Sequence, residues 1–362
     1  MRNSLHFKVL LSVFILIFTI NTQAQDYKFS QFYNSPLNLN PANAGRINSL
    51  YRFVANYRLQ YLPLQTPSPY NTLSASADAG LFRDKLKNDI FGIGIVFTND
   101  RQSSIRTNSL MVSLAYHKAL GKKGSHYLSA GVQVGFFQRS VDFGNLAFEE
   151  QFTGTGFNTN LPSGELFSFK DSSSISKFIQ PNVHIGLLYS GQITKMIGVY
   201  AGLSVFNVLK PKDSFFKADN ERAIRYNAQA GLNIDINKKV LISPNGMYMR
   251  QSTAQQWIAG VSAAINLSGK SQPYKTAVSV GVWLDGGGKN PDVAKDNSLN
   301  ALIASASVSF SGVQIGLSYD ATIKKDLSKA VKTFGALEAS IIYTSKPLDK
   351  RKQYSPLLCP TF

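Results

Sequence analysis

Residues 127–139 read YLSAGVQVGFFQR, and the alternation within this stretch decides the fold. Every second side chain is apolar, and the side chains between them are small or polar until Phe137 breaks the pattern. The apolar series is Leu128, Ala130, Val132, Val134 and Phe136, and the intervening series begins Ser129, Gly131, Gln133 and Gly135. Successive side chains of a β-strand point to opposite faces, so this period of two predicts a strand with one face in an apolar environment.

The same alternation recurs along most of the chain after Gly45. In residues 90–98, 302–310 and 313–319, apolar side chains again take alternate positions, and no stretch fits the helical period of 3.6 better. About fourteen such segments can be counted from this pattern. They start near residues 50, 70, 90, 106, 126, 179, 196, 223, 240, 254, 274, 299, 313 and 333.

The connections between these segments are of two kinds. If the strands run up and down, four long connections lie at one end of the sheet and three tight turns lie at the other. The tight turns are residues 121–125, 237–239 and 311–312, and the long connections are residues 141–178, 210–222, 286–298 and 322–332. An even strand number with short turns at the periplasmic end is typical of outer-membrane proteins. We therefore predict an all-β fold, a transmembrane antiparallel up-and-down β-barrel of about 14 strands.

A soluble β-sandwich or propeller is the alternative, because its inner faces alternate in the same way. Two observations favour the barrel. The face opposite the apolar one carries Gly, Ser, Asn and Gln more often than Lys and Glu, and aromatic residues such as Tyr51, Tyr57 and Tyr343 lie near segment ends. Aromatic belts of this kind are found where a barrel meets the two membrane interfaces.

Composition excludes several classes of protein. Hydrophobic residues make up 44% of the chain and charged residues only 16%, which does not fit a disordered polar chain. Beyond the leader, no apolar run is long enough for a transmembrane helix. The single cysteine, Cys359, excludes a disulfide scaffold and a cysteine-ligated zinc site. The net charge of +17 comes from basic residues spread over turns and loops, so we expect no nucleic-acid partner.

The chain opens with the layout of a secretory signal. Arg2 and Lys8 precede an apolar run over residues 9–20, and residues 22–24 (TQA) offer a small-x-small cleavage site. A membrane anchor is the alternative, but the run is short for a spanning helix. We expect residues 1–24 to be a signal peptide and the mature protein to be exported to the outer membrane.

The residues that enzymes and metal sites use are sparse. His117, His126 and His184 have no metal-ligand spacing between them, and no HExxH motif, phosphate-binding loop or nucleophile elbow is present. An outer-membrane enzyme would need a histidine and carboxylates on external loops, and the four long connections contain no histidine. We expect no catalytic site, no metal and no cofactor.

Residues 26–45 read DYKFSQFYNSPLNLNPANAG, and four further motifs follow them in order. The further motifs are GLSVFN at residues 202–207, GLSYD at residues 316–320, GALE at residues 335–338 and the ending CPTF at residues 359–362. Together they resemble the PorP/SprF family of Bacteroidetes outer-membrane proteins, whose opening signature is F-S-Q-(F/Y), N-P and then L-N-P-A-x-A-G. Ser35-Pro36 departs from the first N-P, whereas the second half of the signature matches fully.

The resemblance implies a type IX secretion system membrane protein, linked in that family to gliding motility through export of surface adhesins. It also implies three kinds of partner: the C-terminal domain of a secreted substrate, subunits of the secretion machinery in its periplasmic ring and translocon, and outer-membrane lipid. The expected function is a non-enzymatic component that acts in export or surface attachment of such substrates.

The N-terminal segment, residues 25–48, precedes the first strand of a barrel that we place over residues 49–345. Its prolines cannot donate to a strand ladder, and its apolar side chains would be unfavourable in water. We expect it to dock at the periplasmic mouth or in the lumen, as a plug or a partner-docking element; a disordered tail is the alternative. The partner-binding candidates are Phe29, Gln31, Phe32, Leu39, Asn40, Pro41, Ala42, Gly45 and Phe362.

Residues 346–362 are expected to form a periplasmic tail. Phe362 resembles the terminal aromatic residue of an assembly signal, but it lies well past the last strand, so partner contact and membrane insertion both remain open. Cys359 could pair with another chain in an oxidising compartment or stay a free thiol.

A passive outer-membrane channel, or a transporter of hydrophobic solutes, is the competing function. Fourteen strands can leave a lumen that needs a plug. A water-filled pore would place charged residues at mid-strand on the lumen face, whereas this face reads mostly as Gly, Ser, Ala, Asn and Gln.

Overall fold

The computed structural model describes residues 26–61, 70–82, 88–120, 125–142, 151–154, 156, 158, 175–215, 220–237, 239–268, 276–287, 299–323 and 335–346. Their strands form one closed antiparallel barrel, in which each strand pairs with its sequence neighbours and β1 pairs with β14. The strands are β1 (Tyr51–Gln60), β2 (Tyr70–Leu81), β3 (Ile90–Gln102), β4 (Ile105–Leu120), β5 (His126–Asp142), β6 (Ile175–Gln192), β7 (Ile197–Phe206), β8 (Arg225–Ile236), β9 (Val240–Gln251), β10 (Ala254–Asn266), β11 (Ala277–Gly287), β12 (Leu299–Phe310), β13 (Val313–Thr322) and β14 (Ala336–Thr344).

The predicted 14-stranded barrel is confirmed, and the strands begin close to the predicted positions. The largest difference is at β6, which begins at Ile175 rather than near residue 179, while β5 continues to Asp142. These two strands pair with each other beyond the end of β7. The connection predicted over residues 141–178 is therefore shorter than expected, because both of its ends belong to the ladder.

The alternation places large apolar side chains on the outer wall and mostly polar ones inside. Leu128, Leu203 and Val280 are half exposed or more, whereas Ser129, Ser204 and Ser279 beside them are buried. An outer surface this rich in exposed apolar side chains is unfavourable in water and suited to lipid. The soluble sandwich and the propeller are excluded by the closed strand order.

The two ends of the barrel differ as predicted. All four long connections leave one end, which we call the long-loop end, and the three predicted tight turns lie at the other, the short-turn end. The prediction missed two further tight turns at the long-loop end, between β3 and β4 and between β9 and β10. Ser103 and Ser252 begin them with positive φ, a conformation for which serine gives little sequence signal. In outer-membrane barrels the short turns face the periplasm.

Three short helical turns precede β1: a 3-10 turn at Phe32–Asn34, the helix α1 at Pro36–Leu39 and a second 3-10 turn at Pro41–Asn43. Pro36 and Pro41 each stand at the first position of their turn, where a missing N–H leaves no intrahelical bond unmade. No described helix has the length and apolar content needed to cross a membrane.

Candidate functional site: the lumen segment and its contacts

Residues 26–48, which we call the lumen segment, run through the barrel from one end to the other. Asp26 bonds to Arg222 in the β7–β8 connection at the long-loop end. The Gly45 amide donates to Asp78 near the short-turn end of β2, 2.8 Å away. Between them almost every residue is buried. The segment therefore occupies the lumen and enters β1 from the short-turn end.

At the long-loop end, Asp26 is bound by donors from the β7–β8 connection and from β8. Arg222 donates to its carboxylate, the Asn207 amide donates from 3.0 Å, and Arg225 forms an ion pair at 3.5 Å. The Asp26 backbone N–H donates to Gln251, 2.8 Å away. Burial alone would raise the pKa of Asp26, but the charges of Arg222 and Arg225 outweigh burial and hold the pKa well below its usual value.

A second charged cluster lies where β1 meets β14. The Ser30 and Gln31 backbone N–H groups donate to the two oxygens of Glu338, at 2.7 and 3.0 Å. Arg58 faces Glu338 across the strand pair and bonds to it at 3.2 Å and to Asp320 at 2.8 Å. The Ser30 hydroxyl donates to Asp320. The cluster joins the lumen segment to the strands that close the barrel.

The lumen face is mostly uncharged, as the sequence indicates, but Arg52, Asp78, Arg58, Asp320 and Glu338 also point inward and are buried, towards the ends of their strands. Arg52 pairs with Asp78 at 2.9 Å on adjacent strands, in the way that Arg58 pairs with its two carboxylates. These charges pair with one another and bond to the lumen segment, which differs from the lining of a hydrated pore.

The apolar side chains of the segment pack on the opposite wall. Tyr33 stacks on Trp283 with ring centroids 5.0 Å apart, and its hydroxyl donates to Ser305. The Trp283 indole N–H in turn donates to Asn245 at 2.9 Å. The cluster comprises Phe32, Tyr33, Leu39, Met247, Met249, Ile258, Trp283 and Ile303. Packing of this kind fixes the rotation of the segment as well as its depth.

Around α1 and the turn that follows it, the wall approaches the segment too closely for side chains. The Asn40 amide donates to the carbonyls of Leu187 and Leu203, at 3.1 and 3.2 Å. A Cβ built on Gly186 would lie 2.0 Å from Asn40 Oδ1, and one built on Gly92 would lie 1.9 Å from the Ala44 carbonyl oxygen. These wall positions accept only glycine while the segment is docked.

The backbone of the segment is also bonded by inward-facing polar side chains. His117 Nε2 lies 2.8 Å from the Ala44 carbonyl oxygen, and Ser204 donates to the Leu39 carbonyl at 2.9 Å. Gly45 has φ +69° and turns the chain towards β1. The described histidines thus bond to backbone and side chains of the fold. Within the described ranges, no three His, Cys, Asp or Glu side chains are grouped closely enough to hold a metal ion.

The structure places eight of the nine partner-binding candidates inside the barrel. Phe29, Gln31, Phe32, Leu39, Asn40, Pro41, Ala42 and Gly45 are all buried, and the wall is what they contact. Phe362, Cys359 and the leader lie outside the described residues. Contact between these candidates and another protein stays a prediction.

Sequence analysis did not identify Asp26, Arg58, Arg222, Trp283 or Glu338 as site residues. The alternation of β1 could have indicated Arg58, because this residue and Arg52 both stand at the alternate positions whose side chains face inward. Four of the five motifs contact one another inside the barrel. Ser30 of the first motif bonds to Asp320 of GLSYD and to Glu338 of GALE, and the Leu39 carbonyl of the first motif accepts from Ser204 of GLSVFN. The motifs describe the lumen segment and the wall residues that bind it.

Among solved structures, the barrel is similar to a mutant of the monoaromatic hydrocarbon channel TodX, at a TM-score of 0.53 and 10% identity over 87% of this chain and 94% of that one. It is also similar to the Ralstonia pickettii toluene transporter TbuX, at a TM-score of 0.48 and 11% identity over 87% and 94% of the two chains. At such identities the likeness concerns the fold alone.

A comparison with curated proteins found no match. The family model described as type IX secretion system membrane protein PorP/SprF matches residues 21–343, which include the lumen segment and nearly all of the barrel. The chain therefore belongs to the PorP/SprF family of type IX secretion system membrane proteins.

Proposed function

We propose that this barrel is a non-enzymatic outer-membrane partner for type IX secretion, which binds the C-terminal domain of an exported substrate, such as a gliding adhesin, for export or surface attachment. Family membership supports the secretion role. The observation that carries the mode of action is the lumen segment, which fills the barrel and is joined to the wall by ion pairs of Asp26 with Arg222 and Arg225 and of Lys28 with Asp285. A barrel filled by its own chain serves better as a docking platform than as a conduit.

The substrate would approach the long-loop end, where the β7–β8 connection folds back on the β5–β6 extension. Phe215 of that connection packs against Phe178 with ring centroids 5.0 Å apart, and Arg139 bonds to Asp213 at 2.6 Å. Arg222, from the same connection, binds Asp26. A partner that moves this connection would therefore act on the outer end of the lumen segment. The machinery subunits would bind at the short-turn end.

Affinity purification of the tagged protein from native outer membranes, followed by mass spectrometry, tests the secretion role. We expect to recover an exported protein through its C-terminal domain, together with ring or translocon subunits. A matched preparation of Arg106→Ala, an exposed arginine of β4 at the same end, serves as the control. Recovery of the barrel alone would contradict the proposal.

Deletion of residues 26–44 tests the lumen segment itself. The wall keeps Arg52 paired with Asp78 and Arg58 paired with its two carboxylates, so we expect the empty barrel to assemble. Secretion should fail, and the deleted barrel should conduct ions in a planar bilayer while the full chain does not. If the deleted barrel cannot assemble, the segment is structural; the variant Asp26→Ala, which loosens only its outer end, then tests the docking role.

The competing function, a passive channel or hydrophobic-solute transporter, predicts the opposite pair of results. The full chain would then conduct ions or take up solutes, and no secretion subunit would accompany it. The filled lumen disfavours this function, because solute would have to displace Tyr33 from its stack on Trp283.

A further inference from the structure

The outer wall of β5–β10 carries two adjoining grooves. The upper groove, at the long-loop end, has a volume of about 610 Å³ and is lined by Lys210, Tyr226, Tyr248 and Arg250 among others. The lower groove has a volume of about 580 Å³ and an almost wholly apolar lining. Tyr248 lines both grooves, so the two lie next to each other on the wall.

The lower groove arises from a row of small residues on neighbouring strands. Ala201 stands opposite Ala230, Ala230 opposite Gly246, and Gly246 opposite Ala259. Larger outward side chains border this row, including Leu203, which is 64% exposed, and Trp257. The lower groove is therefore a shallow channel of small residues between bulky outward side chains.

The upper groove supplies charge at the end of this channel. Arg250 stands opposite Tyr226 on the adjacent strand, both point outward, and Lys210 lies in the neighbouring connection, exposed. Glu221, the acidic residue that lines this groove, stands opposite Lys212 in a backbone bridge, an arrangement that sets a basic side chain beside its carboxylate. Arg222 is already bonded to Asp26. Two basic side chains thus remain beside two tyrosines, at the depth where strand ends meet lipid head groups.

We propose that the two grooves together bind one anionic lipid of the membrane, with its phosphate between Lys210 and Arg250 and an acyl chain along the small-residue row. Charge complementarity places the head group, and the adjacency of the two grooves at Tyr248 places the chain. The proposal depends on the membrane location of the barrel and is independent of any secretion role, so either can fail alone.

Trp257 makes the site measurable, because it lines the lower groove, whereas Trp283, the other tryptophan, faces the lumen. The protein is reconstituted into vesicles that contain either phosphatidylglycerol or phosphatidylcholine brominated near the middle of the acyl chain. Bromine quenches only the fluorescence of nearby indoles. We expect brominated phosphatidylglycerol to quench more strongly than brominated phosphatidylcholine at equal mole fraction, and the variant Trp257→Phe to abolish the difference.

The variants separate a site from general membrane contact. Lys210→Ala and Arg250→Ala should each lower the preference for phosphatidylglycerol about five-fold at low salt. Ala230→Leu, which fills the row, should also lower it. Two matched variants should leave the preference unchanged: Arg106→Ala, an outward arginine at the same end that lines neither groove, and Ala304→Leu, an outward alanine of β12.

Three results would overturn the proposal. One is equal quenching by the two lipids in the wild-type protein, and another is an effect of Arg106→Ala as large as that of Arg250→Ala. The third is protection of Trp257 from both lipids, which would indicate that a protein surface covers the grooves.

Discussion

Replacement of Arg58 by methionine should destabilise the barrel far more than any exposed arginine does. Arg58 lies 2.8 Å from an oxygen of Asp320 and 3.2 Å from one of Glu338, and the exposed fractions of these two carboxylate side chains are 5% and 0%. Arg58→Met leaves both carboxylates buried without a counter-charge. Removal of one partner from a buried ion pair costs about 3–5 kcal/mol.

The assay is guanidinium unfolding in detergent micelles, followed by tryptophan fluorescence. With a slope of about 4 kcal/mol per molar guanidinium, a loss of 3–5 kcal/mol lowers the midpoint by roughly 1 M. The indole of Trp283 reports on the same transition, because it stacks on Tyr33 of the lumen segment. Arg106→Met is the matched control and should change stability by less than about 0.5 kcal/mol.

The triple variant Arg58→Met, Asp320→Asn, Glu338→Gln decides whether uncompensated charge is the cause. It removes all three charges and keeps most of the volume, so its loss should be only about 1–3 kcal/mol, because a glutamine offers one acceptor oxygen instead of two to the Ser30 and Gln31 N–H groups. A triple variant that is less stable than the single one would refute the reasoning, as would a single variant with wild-type stability.

Three further perturbations address other parts of the lumen segment. Asp26→Asn should weaken the outer end by about 1.5–3 kcal/mol, the range for hydrogen bonds to charged groups, and should speed amide exchange at residues 26–31 while residues 37–44 keep their rates. Because the folded pKa of Asp26 lies below its unfolded value of 3.8, the stability it contributes is complete above about pH 4 and is lost only as pH falls further; exchange protection at pH 5 and pH 7.5 should agree after correction for the intrinsic rate. Gly92→Ala should raise amide exchange at residues 42–45 more than about ten-fold, because the added Cβ would lie 1.9 Å from the Ala44 carbonyl oxygen. That change corresponds to a loss of over about 1.4 kcal/mol in the local stability of the docked segment. Gly156→Ala is the control and should have no effect, because nothing lies within 4 Å of its added Cβ. Trp283→Ala should cost about 3–5 kcal/mol in guanidinium unfolding, and Trp257→Ala on the outer wall should cost much less because lipid replaces its contacts.

The strands could be predicted from the sequence because each one carries its own signal. A period of two over about ten residues needs no knowledge of the neighbouring strand. The antiparallel order then followed from the connections, and the two missed turns at Ser103 and Ser252 did not disturb it, since each joins strands that were recognised separately.

The charged clusters could not be predicted in the same way. Arg58 and Glu338 are 280 positions apart, and only closure of the barrel sets them opposite each other. Each charge in isolation looked like a single polar residue in a mixed face. The route of the lumen segment was equally hidden, because neither Asp26 nor Arg222 has a local pattern that announces a partner 196 positions away.

The contacts of the lumen segment are of two classes, polar and apolar, and the two differ in the free energy that release of the segment would require. The wall charges near β1 are paired among themselves, and the segment adds neutral donors such as the Ser30 and Gln31 amides. Water could replace those donors if the segment left, so they set the position of the segment more than its affinity. The ion pair of Asp26 lies at the mouth, where the Arg222 side chain is 15% exposed.

The apolar contacts determine how firmly the segment is retained. Phe29, Phe32, Leu37 and Leu39 are nearly fully buried, and exposing such side chains costs about 1.5–3 kcal/mol each, or roughly 6–12 kcal/mol together. With that free-energy cost, the state in which the segment has left the lumen spontaneously would be too sparsely populated to take part in a functional cycle. A partner that empties the lumen must therefore offer apolar surface for these four side chains. Loosening the Asp26 end alone would leave the deeper part of the segment in place, so the outer ion pairs and the apolar cluster should respond to different perturbations.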